Sequence, residues 1–262
     1  MKARILHLSA DYPDGFEQAK TNAIRGLVEG TCEQFEHRVV SLNRRGGFTG
    51  WLRLGKVLSR AKSGDVLAYR YGAPPAAVAI EPVMRRLAAT IAENLRETGF
   101  QPDLVQGHKL TIEGFLARHV AAQLGVPFVL TLQGNTDQKL LLQRPDRLAA
   151  VRAVWSEAKA IMAFAPWTGN WCAQRLGTPA RPVVTIPCLL PHDDILPPRN
   201  TSPLIRTAFN LDFWRNKNIK TVLTAVRHII ADGTDVRLEI GGDGSDAARE
   251  VIERLIAKAG LI

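Results

Sequence analysis

The sequence predicts an α/β fold in which a complete doubly wound domain is followed by the first part of a second domain of the same type. Short apolar runs alternate with amphipathic stretches from residue 4 to residue 186, the proline-rich segment PCLLPHDDILPPRNTSP interrupts them, and the alternation restarts at Leu204. Strands and helices that alternate in this way form a largely parallel sheet with helices on both faces. We therefore expect a Rossmann-like domain over 1–187, a linker over 188–203 and a partial domain over 204–262.

The first strand, Arg4–Ser9 (RILHLS), opens into a loop with proline and glycine, and a helix follows from about Glu17 to Glu29. This pattern places Lys20 and Thr21 in the first turns of the helix. Free backbone N–H groups and the positive end of the helix dipole bind anions at such a position. A solvated helix start explains the same residues equally well.

The second strand, His37–Leu42, precedes a segment from Arg44 to Lys62 that contains six basic residues and no acidic residue. Its second part, Trp51 to Lys62, predicts an amphipathic helix, because apolar and basic side chains separate onto opposite faces at 100° per residue. The apolar face holds Trp51, Leu54 and Leu58, and the basic face holds Arg53, Lys56 and Arg60. Such a helix is either a crossover packed on the sheet or a surface that docks on anionic lipid.

The remaining elements of the first domain follow the same alternation. Strands are expected at Asp65–Tyr69, Asp103–Gln106, Phe128–Leu132, Ala160–Phe164 and Val183–Ile186. Helices are expected in a region from Pro74 to Thr98 interrupted near Pro82, between Ile112 and a stop at Gly125, and at Arg147–Ala158 and Pro166–Leu176. The second domain begins with strands Leu204–Asn210 and Val236–Ile240 and helices Asn216–Ala231 and Asp246–Ala259.

The βαβ unit over Gln101–Lys139 organises the first domain and predicts a ligand site. In an open parallel sheet a ligand lies outside the carboxyl ends of the strands. The polar residues expected at those ends are Gly107, His108 and Lys109 after one strand, and Gln133, Gly134, Asn135 and Asp137 after the next. Both groups should face one cleft.

Composition and charge limit the function classes. The chain has 262 residues, 46% of them hydrophobic, and a net charge of +9, which indicates a globular protein with an anionic partner: ligand phosphates, a membrane surface or nucleic acid. No apolar run reaches the ~20 residues of a membrane span, so we expect a cytoplasmic protein. The number of cysteines is odd and they are widely spaced, at Cys32, Cys172 and Cys188, which argues against a disulfide framework or a cysteine zinc site. Two βα units cannot close a core, and a complete second domain would need roughly 100 further residues, so we expect that domain to be cut short.

Four segments together resemble the family 4 glycosyltransferases, which are retaining enzymes of the GT-B fold. PDLVQGH and LGVPFVLTLQGNTD are similar to the family's first-domain strand ends, VTIPC to its linker start, and NKNIKTVLTAV with LEIGGDG to its donor domain. Gln133 stands where that family usually has histidine, and its donor-binding arginine has no clean match. The family's paired-glutamate motif would lie beyond Ile262.

The resemblance implies transfer of a sugar from a nucleotide-diphosphate donor to a glycan or lipid-linked acceptor, in cell-envelope or polysaccharide biosynthesis. It implies catalytic roles for His108 and Gln133, and an acceptor or phosphate side with Lys20, Thr21 and Asn135. Donor binding would involve Arg215, Lys217, Gly242 and Gly244. Neither a cofactor nor a metal is expected, since Asp193 and Asp194 are more typical of a solvated linker.

Two alternatives remain open from the sequence. The chain could be a catalytically inert acceptor-binding fragment, or its basic first domain could bind nucleic acid. The second is disfavoured because no nucleic-acid-binding motif is present. The favoured hypothesis is a cytoplasmic enzyme with no nucleic-acid partner that contacts the inner face of the membrane through Trp51 to Lys62.

Overall fold

A computed structural model describes residues 2–16, 20–188 and 203–261. The chain divides into two compact units, Met1–Asp193 and Asp194–Ile262, which we call unit 1 and unit 2. Asp193, Asp194 and nearly all of the predicted linker lie outside the described residues. No helix in the described part of the chain is long and apolar enough to cross a bilayer.

Unit 1 contains an eight-stranded sheet that is parallel except at one edge. The strands are β1 Ala3–Ser9, β2 Phe35–Arg45, β3 Val57–Ser63, β4 Val66–Gly72, β5 Leu104–Gly107, β6 Phe128–Leu132, β7 Ile161–Ala163 and β8 Val183–Thr185. Their order is β3-β4-β2-β1-β5-β6-β7-β8, and only β3 runs antiparallel to its neighbour. The predicted doubly wound α/β fold is confirmed.

Seven helices of the described residues belong to unit 1: α1 Ala23–Gly30, α2 Gly47–Leu52, α3 Ile80–Glu97, α4 Glu113–Leu124, α5 Asn135–Gln143, α6 Leu148–Glu157 and α7 Pro166–Leu176. Gly125 ends α4 with a φ of 70°, as the sequence indicates. Pro82 does not interrupt α3, because it lies in the first turn, where its missing N–H has no partner to lose. α5 was not predicted.

Apolar side chains cover both faces of this sheet. The larger cluster packs α3, α4 and α6 against one face and includes the fully buried Leu6, Leu87 and Leu116. On the other face Ile24 and Val28 of α1 pack on Val39. Each such side chain contributes about 1.5 to 3 kcal/mol on burial, so this packing fixes the strands that carry the site.

The predicted helix over Trp51–Lys62 is wrong. α2 ends at Leu52, and Val57–Ser63 is the antiparallel edge strand β3, which turns into β4 at Gly64. Gly55 is not helical, because its φ is +67°. It also approaches α3 so closely that a Cβ on Gly55 would lie 2.6 Å from the carbonyl oxygen of Val83. The basic residues are therefore divided between a short helix, a connection and an edge strand.

Unit 2 contains two parallel strands and two helices among its described residues. Strands β9 Leu204–Ala208 and β10 Arg237–Gly241 pair in parallel, and helices α8 Ile219–Ala231 and α9 Asp246–Lys258 follow them. The hydroxyl of Ser245 caps α9 by accepting a hydrogen bond from the Ala248 N–H. A small apolar cluster around Leu211, Ala248 and Ile252 joins α9 to the β9 loop.

Candidate functional site

The strand order of unit 1 reverses between β1 and β5. After β1 the chain moves to β2, whereas β5 lies on the other side of β1 and leads to β6. Connections leave these two strands on opposite faces, which opens a crevice at their carboxyl ends where ligands bind in folds of this type. Asp11 follows β1 at this crevice, and His108 and Lys109 follow β5. The topology thus places His108 and Lys109 at the predicted edge.

A buried ionic cluster lies at the crevice. Lys109 Nζ is 2.5 Å from Asp11 Oδ2 and 3.5 Å from Glu113 Oε1, which also accepts the Ala10 N–H at 3.0 Å. Burial raises the pKa of Glu113, although Lys109 opposes the shift. Burial alone would lower the pKa of Lys109, but Glu113 and Asp11 raise it overall. Glu113 Oε2 is buried without a hydrogen-bond partner among the described residues, so this oxygen is an unused acceptor.

Three histidines, of which His7 and His108 are fully buried and His37 is half-buried, form a hydrogen-bonded chain beside this cluster. His108 Nε2 is 3.0 Å from His7 Nδ1, and His7 Nε2 is 2.8 Å from His37 Nδ1. His37 Nε2 lies 3.1 Å from the hydroxyl of Thr31. Burial lowers the pKa of all three imidazoles, that of His108 to about 3, so all three are neutral at pH 7. The sequence did not predict the chain, because its members come from β1, β2 and the end of β5.

The direction of the hydrogen bonds follows from Thr31. Its hydroxyl donates to the Leu27 carbonyl at 2.7 Å and can therefore accept from His37 Nε2–H. His37 Nδ1 then accepts from His7 Nε2–H, and His7 Nδ1 accepts from His108 Nε2–H. This leaves His108 Nδ1 as a bare acceptor, and it has no partner among the described residues. Within the described residues, the crevice thus holds these two unpartnered acceptors, and its lysine, Lys109, is paired.

Lys20 and Thr21 do not lie in a helix, because α1 begins only at Ala23. Lys20 instead points inward, with Nζ 2.8 Å from Asp14 Oδ2 and 2.7 Å from the hydroxyl of Ser41. Burial alone would raise the pKa of Asp14, but hydrogen bonds from Asn43, Lys20 and Ser41 lower it overall. The charge of Lys20 is already compensated by Asp14, and the N-terminus of α1 comes only at Ala23. The predicted placement in the first turns of a helix was wrong: Lys20 precedes α1, and its charge is used in the ion pair with the buried carboxylate of Asp14.

Gln133, Gly134 and Asn135 lie where β6 passes into α5. Gly134 has a φ of 133° and precedes Asn135, the exposed first residue of the helix. The Nε2 of Gln133 is buried without a partner among the described residues. Asp137, in the first turn, accepts hydrogen bonds from the Leu110 N–H and from the N–H and hydroxyl of Thr111. This carboxylate ties the loop after β5 to α5 and so holds both strand ends at one edge.

The donor-side candidates belong to unit 2. Arg215 and Lys217 are exposed in the turn before α8, and the Arg215 guanidinium lies 4.9 Å from the centre of the Trp214 ring. Gly242 and Gly244 lie in the turn after β10. A Cβ on Gly244 would approach Leu211 Cβ to 2.7 Å, so this glycine is required by packing whether or not a ligand approaches.

Gly242→Ala is expected to destabilise unit 2 by about 2 to 3 kcal/mol. Its φ of +141° disfavours any side chain, and a Cβ would lie 1.8 Å from the Phe209 carbonyl oxygen. Gly241→Ala is the matched control, because a Cβ on Gly241 meets nothing within 4 Å. Urea unfolding followed by hydrogen exchange at the amides of α8 and α9 measures both. Equal midpoints for the two variants would contradict the expected clash.

Comparisons with known proteins agree with this architecture. Residues 21–188 match the family model described as glycosyl transferase 4-like domain. No curated protein matches the chain. Among solved structures, one described as trehalose-6-phosphate from E. coli bound with UDP-2-fluoro glucose is 11% identical with a TM-score of 0.58, covering 98% of this chain and 70% of that chain.

Two structures from Burkholderia are similar to the same extent. The alpha,alpha-trehalose 6-phosphate synthase from Burkholderia multivorans is 13% identical with a TM-score of 0.57, covering 99% of this chain and 69% of its own. The UDP-forming alpha,alpha-trehalose-phosphate synthase from Burkholderia xenovorans, in complex with glucose-6-phosphate, is 10% identical with a TM-score of 0.57, covering 98% and 70%. Identities this low establish the fold alone.

Proposed function

Since the chain belongs to the glycosyl transferase 4-like domain family and has the GT-B-like fold expected from its sequence, we propose that it transfers a sugar from a nucleotide diphosphate to a glycan or lipid-linked acceptor. Transfer proceeds with retention of the anomeric configuration, in cell-envelope or polysaccharide biosynthesis at the inner face of a membrane. The family match supports a glycosyltransferase, and we propose its donor, its acceptor, the retention of configuration and its location.

The observation that carries the proposal is the pair of unpartnered buried acceptors at the crevice. His108 Nδ1 and Glu113 Oε2 both lie at the carboxyl edge of β1 and β5 without partners among the described residues. Sugar hydroxyls donate hydrogen bonds, whereas phosphate oxygens accept them. A neutral imidazole and a carboxylate therefore suit the hydroxyls of a sugar ring. This interpretation gives His108 a role in sugar binding at the switch point of the sheet.

The donor side is proposed to act by electrostatics. A nucleotide diphosphate leaves with negative charge, which cations close to its oxygens stabilise. Arg215 and Lys217 are exposed in the turn before α8, and we assign them to this role, together with the backbone of Gly242 and Gly244. Because arginine and lysine can supply this charge, the reaction is proposed to need no metal ion. Gln133 and Asn135, at the end of β6, are proposed to contact substrate.

The test is release of nucleoside diphosphate from UDP-glucose and GDP-mannose, with oligosaccharides, glucose 6-phosphate and anionic lipid vesicles offered as acceptors. We expect release with at least one donor and acceptor pair, unaffected by EDTA, and a product whose NMR anomeric coupling matches that of the donor. Lys217→Ala should lower kcat/KM by about 100-fold, the size of a lost charge contact in the transition state. Lys258→Ala, at the end of α9, is the control. Activity that requires Mg²⁺ and survives Lys217→Ala would overturn the assignment.

A further inference from the structure

Three large apolar side chains project from α2 into solvent. Phe48, Trp51 and Leu52 are 79%, 53% and 67% exposed, and all lie within one six-residue helix. We call these three residues the α2 tip. Single exposed apolar residues are ordinary, but three on one short element mark an interaction surface. The tip follows β2 directly and therefore lies at the same edge of the sheet as the crevice.

A basic pocket lies beside the tip. Arg44, Arg45 and Arg70 line a cavity of about 590 Å³ together with Phe48 and Thr49, and we call these three arginines with their cavity the arginine pocket. Arg44 and Arg45 end β2, where Arg44 is in register with Tyr71 of the neighbouring β4. None of the three arginines forms an ion pair within the described residues. The salt bridges of unit 1 all involve other residues. Their charge is therefore available to a ligand.

The chemistry of the pocket selects a phosphate. Guanidinium groups present paired N–H donors that match two phosphate oxygens, and three of them around one cavity provide the countercharge for a phosphate ester. Arg70 is held in place, with its guanidinium 4.4 Å from the centre of the Phe16 ring. A soluble phosphate would leave the α2 tip without a role. A phospholipid supplies both a phosphate and an apolar layer within reach of the tip.

We propose that the arginine pocket binds the phosphate of an anionic phospholipid headgroup while the α2 tip inserts at the boundary of headgroups and acyl chains. This surface replaces the predicted Trp51–Lys62 helix as the membrane contact. The inference deepens the proposed function and rests on it for its purpose, since it brings the crevice edge of unit 1 to a lipid-linked acceptor. Its physical basis, the exposed tip and the unpaired arginines, is independent of any activity.

The experiment is co-sedimentation of the full chain with vesicles of phosphatidylglycerol and phosphatidylcholine, compared with phosphatidylcholine alone. We expect binding only to the anionic vesicles, weakened at least tenfold in the charge variant Arg44→Glu with Arg45→Glu and in the tip variant Phe48→Ser with Trp51→Ser and Leu52→Ser. All five side chains are exposed, so these changes leave the fold intact, which circular dichroism checks.

Matched controls separate the surface from bulk charge and apolarity. Arg249→Glu with Arg254→Glu on α9 makes the same change in net charge, and Leu142→Ser removes a side chain that is 55% exposed on α5. Both should bind vesicles as the parent does. If the α9 variant binds as weakly as the charge variant, only net charge matters and the proposal is overturned.

Soluble phosphate distinguishes the two sources of the ligand. We expect glycerol phosphate at millimolar concentration to leave vesicle binding unchanged. If it abolishes binding and the tip variant binds as well as the parent, the pocket serves a soluble phosphate and the lipid proposal is overturned. Vesicle binding is measured without a nucleotide sugar, so the two proposals are tested separately. A protein that binds vesicles but transfers no sugar contradicts only the proposed function, and an active enzyme that does not bind vesicles contradicts only the membrane proposal.

Discussion

Lowering the pH from 7 to 5 is expected to reduce the free energy of unfolding of unit 1 by about 2 kcal/mol through His108, and His7 acts in the same direction. Both side chains are fully buried and hydrogen-bonded as neutral imidazoles, so a proton on either would place a positive charge in the interior of unit 1. Burial lowers the pKa of both, and the neighbouring histidine and Lys109 add to the shift.

The sign follows from proton uptake by the unfolded chain. An unfolded histidine has a pKa of about 6.5, so below that pH the unfolded state binds protons that the folded state refuses. The stabilisation is present above pH 6.5 and is lost as the pH falls towards about 3, the folded pKa of His108. His108 contributes about 1.4 kcal/mol per pH unit in that window. Glu113 and Asp137, whose pKa values burial raises, take up protons first in the folded state and offset part of the loss.

Urea unfolding at several pH values between 7 and 5 measures this slope. The slope of the free energy of unfolding against pH gives the number of protons taken up on unfolding. His108→Gln and His7→Gln should each lower that number by about one, whatever their effect on stability at pH 7. His228→Gln is the control, because His228 is exposed on α8 and belongs to unit 2. If His108→Gln and His7→Gln keep the pH dependence of the parent between pH 7 and 5, His7 and His108 are not buried as neutral imidazoles in solution.

The sequence predicts the bounds of a strand or helix well where residues within the segment itself determine its structure. β6 at Phe128–Leu132 and α7 at Pro166–Leu176 have the predicted bounds. The strand is a short apolar run that is buried on both faces, and the helix starts at a proline that fixes its first turn. Tertiary contacts add little to these signals.

Trp51–Lys62 shows where such reasoning fails. Its basic residues recur at helical spacing, but part of the segment is the half-buried edge strand β3, whose pairing with β4 cannot be read from the segment itself. Gly55 interrupts the predicted helix. Its close approach to α3 is a tertiary contact that the segment itself does not reveal. α5 was missed for a similar reason, since Asp137 stabilises it through a loop that is distant in sequence.

The site was predictable in position but not in chemistry. Parallel topology alone places His108 and Lys109 at the carboxyl edge. His7 and His37 lie inside strands, and nothing local marks them as partners of His108. Likewise, only the folded chain shows that Asp14 neutralises Lys20. Topology therefore fixes the edge, whereas pairing between distant residues decides which charges and acceptors remain for a ligand.

Asp137→Ala is expected to reduce the free energy of unfolding of unit 1 by about 3 to 5 kcal/mol. The carboxylate is 3% exposed and accepts three hydrogen bonds, from the Leu110 N–H at 3.2 Å, the Thr111 N–H at 2.9 Å and the Thr111 hydroxyl at 2.6 Å. Removing it leaves two buried backbone N–H groups unpaired, each at a cost of about 1 to 3 kcal/mol.

Asp137→Asn keeps one acceptor oxygen and should lose roughly half as much stability as Asp137→Ala. Asp146→Ala is the matched control, since Asp146 is exposed and paired with Arg144 at the surface. This variant should unfold at the same temperature as the parent. In a unit of this size 1 kcal/mol corresponds to about 2 to 4 °C, so thermal unfolding resolves the series. Because Asp137 joins the loop after β5 to α5, we also expect Asp137→Ala to loosen the crevice and lower sugar binding. An Asp137→Ala protein that melts with Asp146→Ala would mean that this loop is held by other contacts.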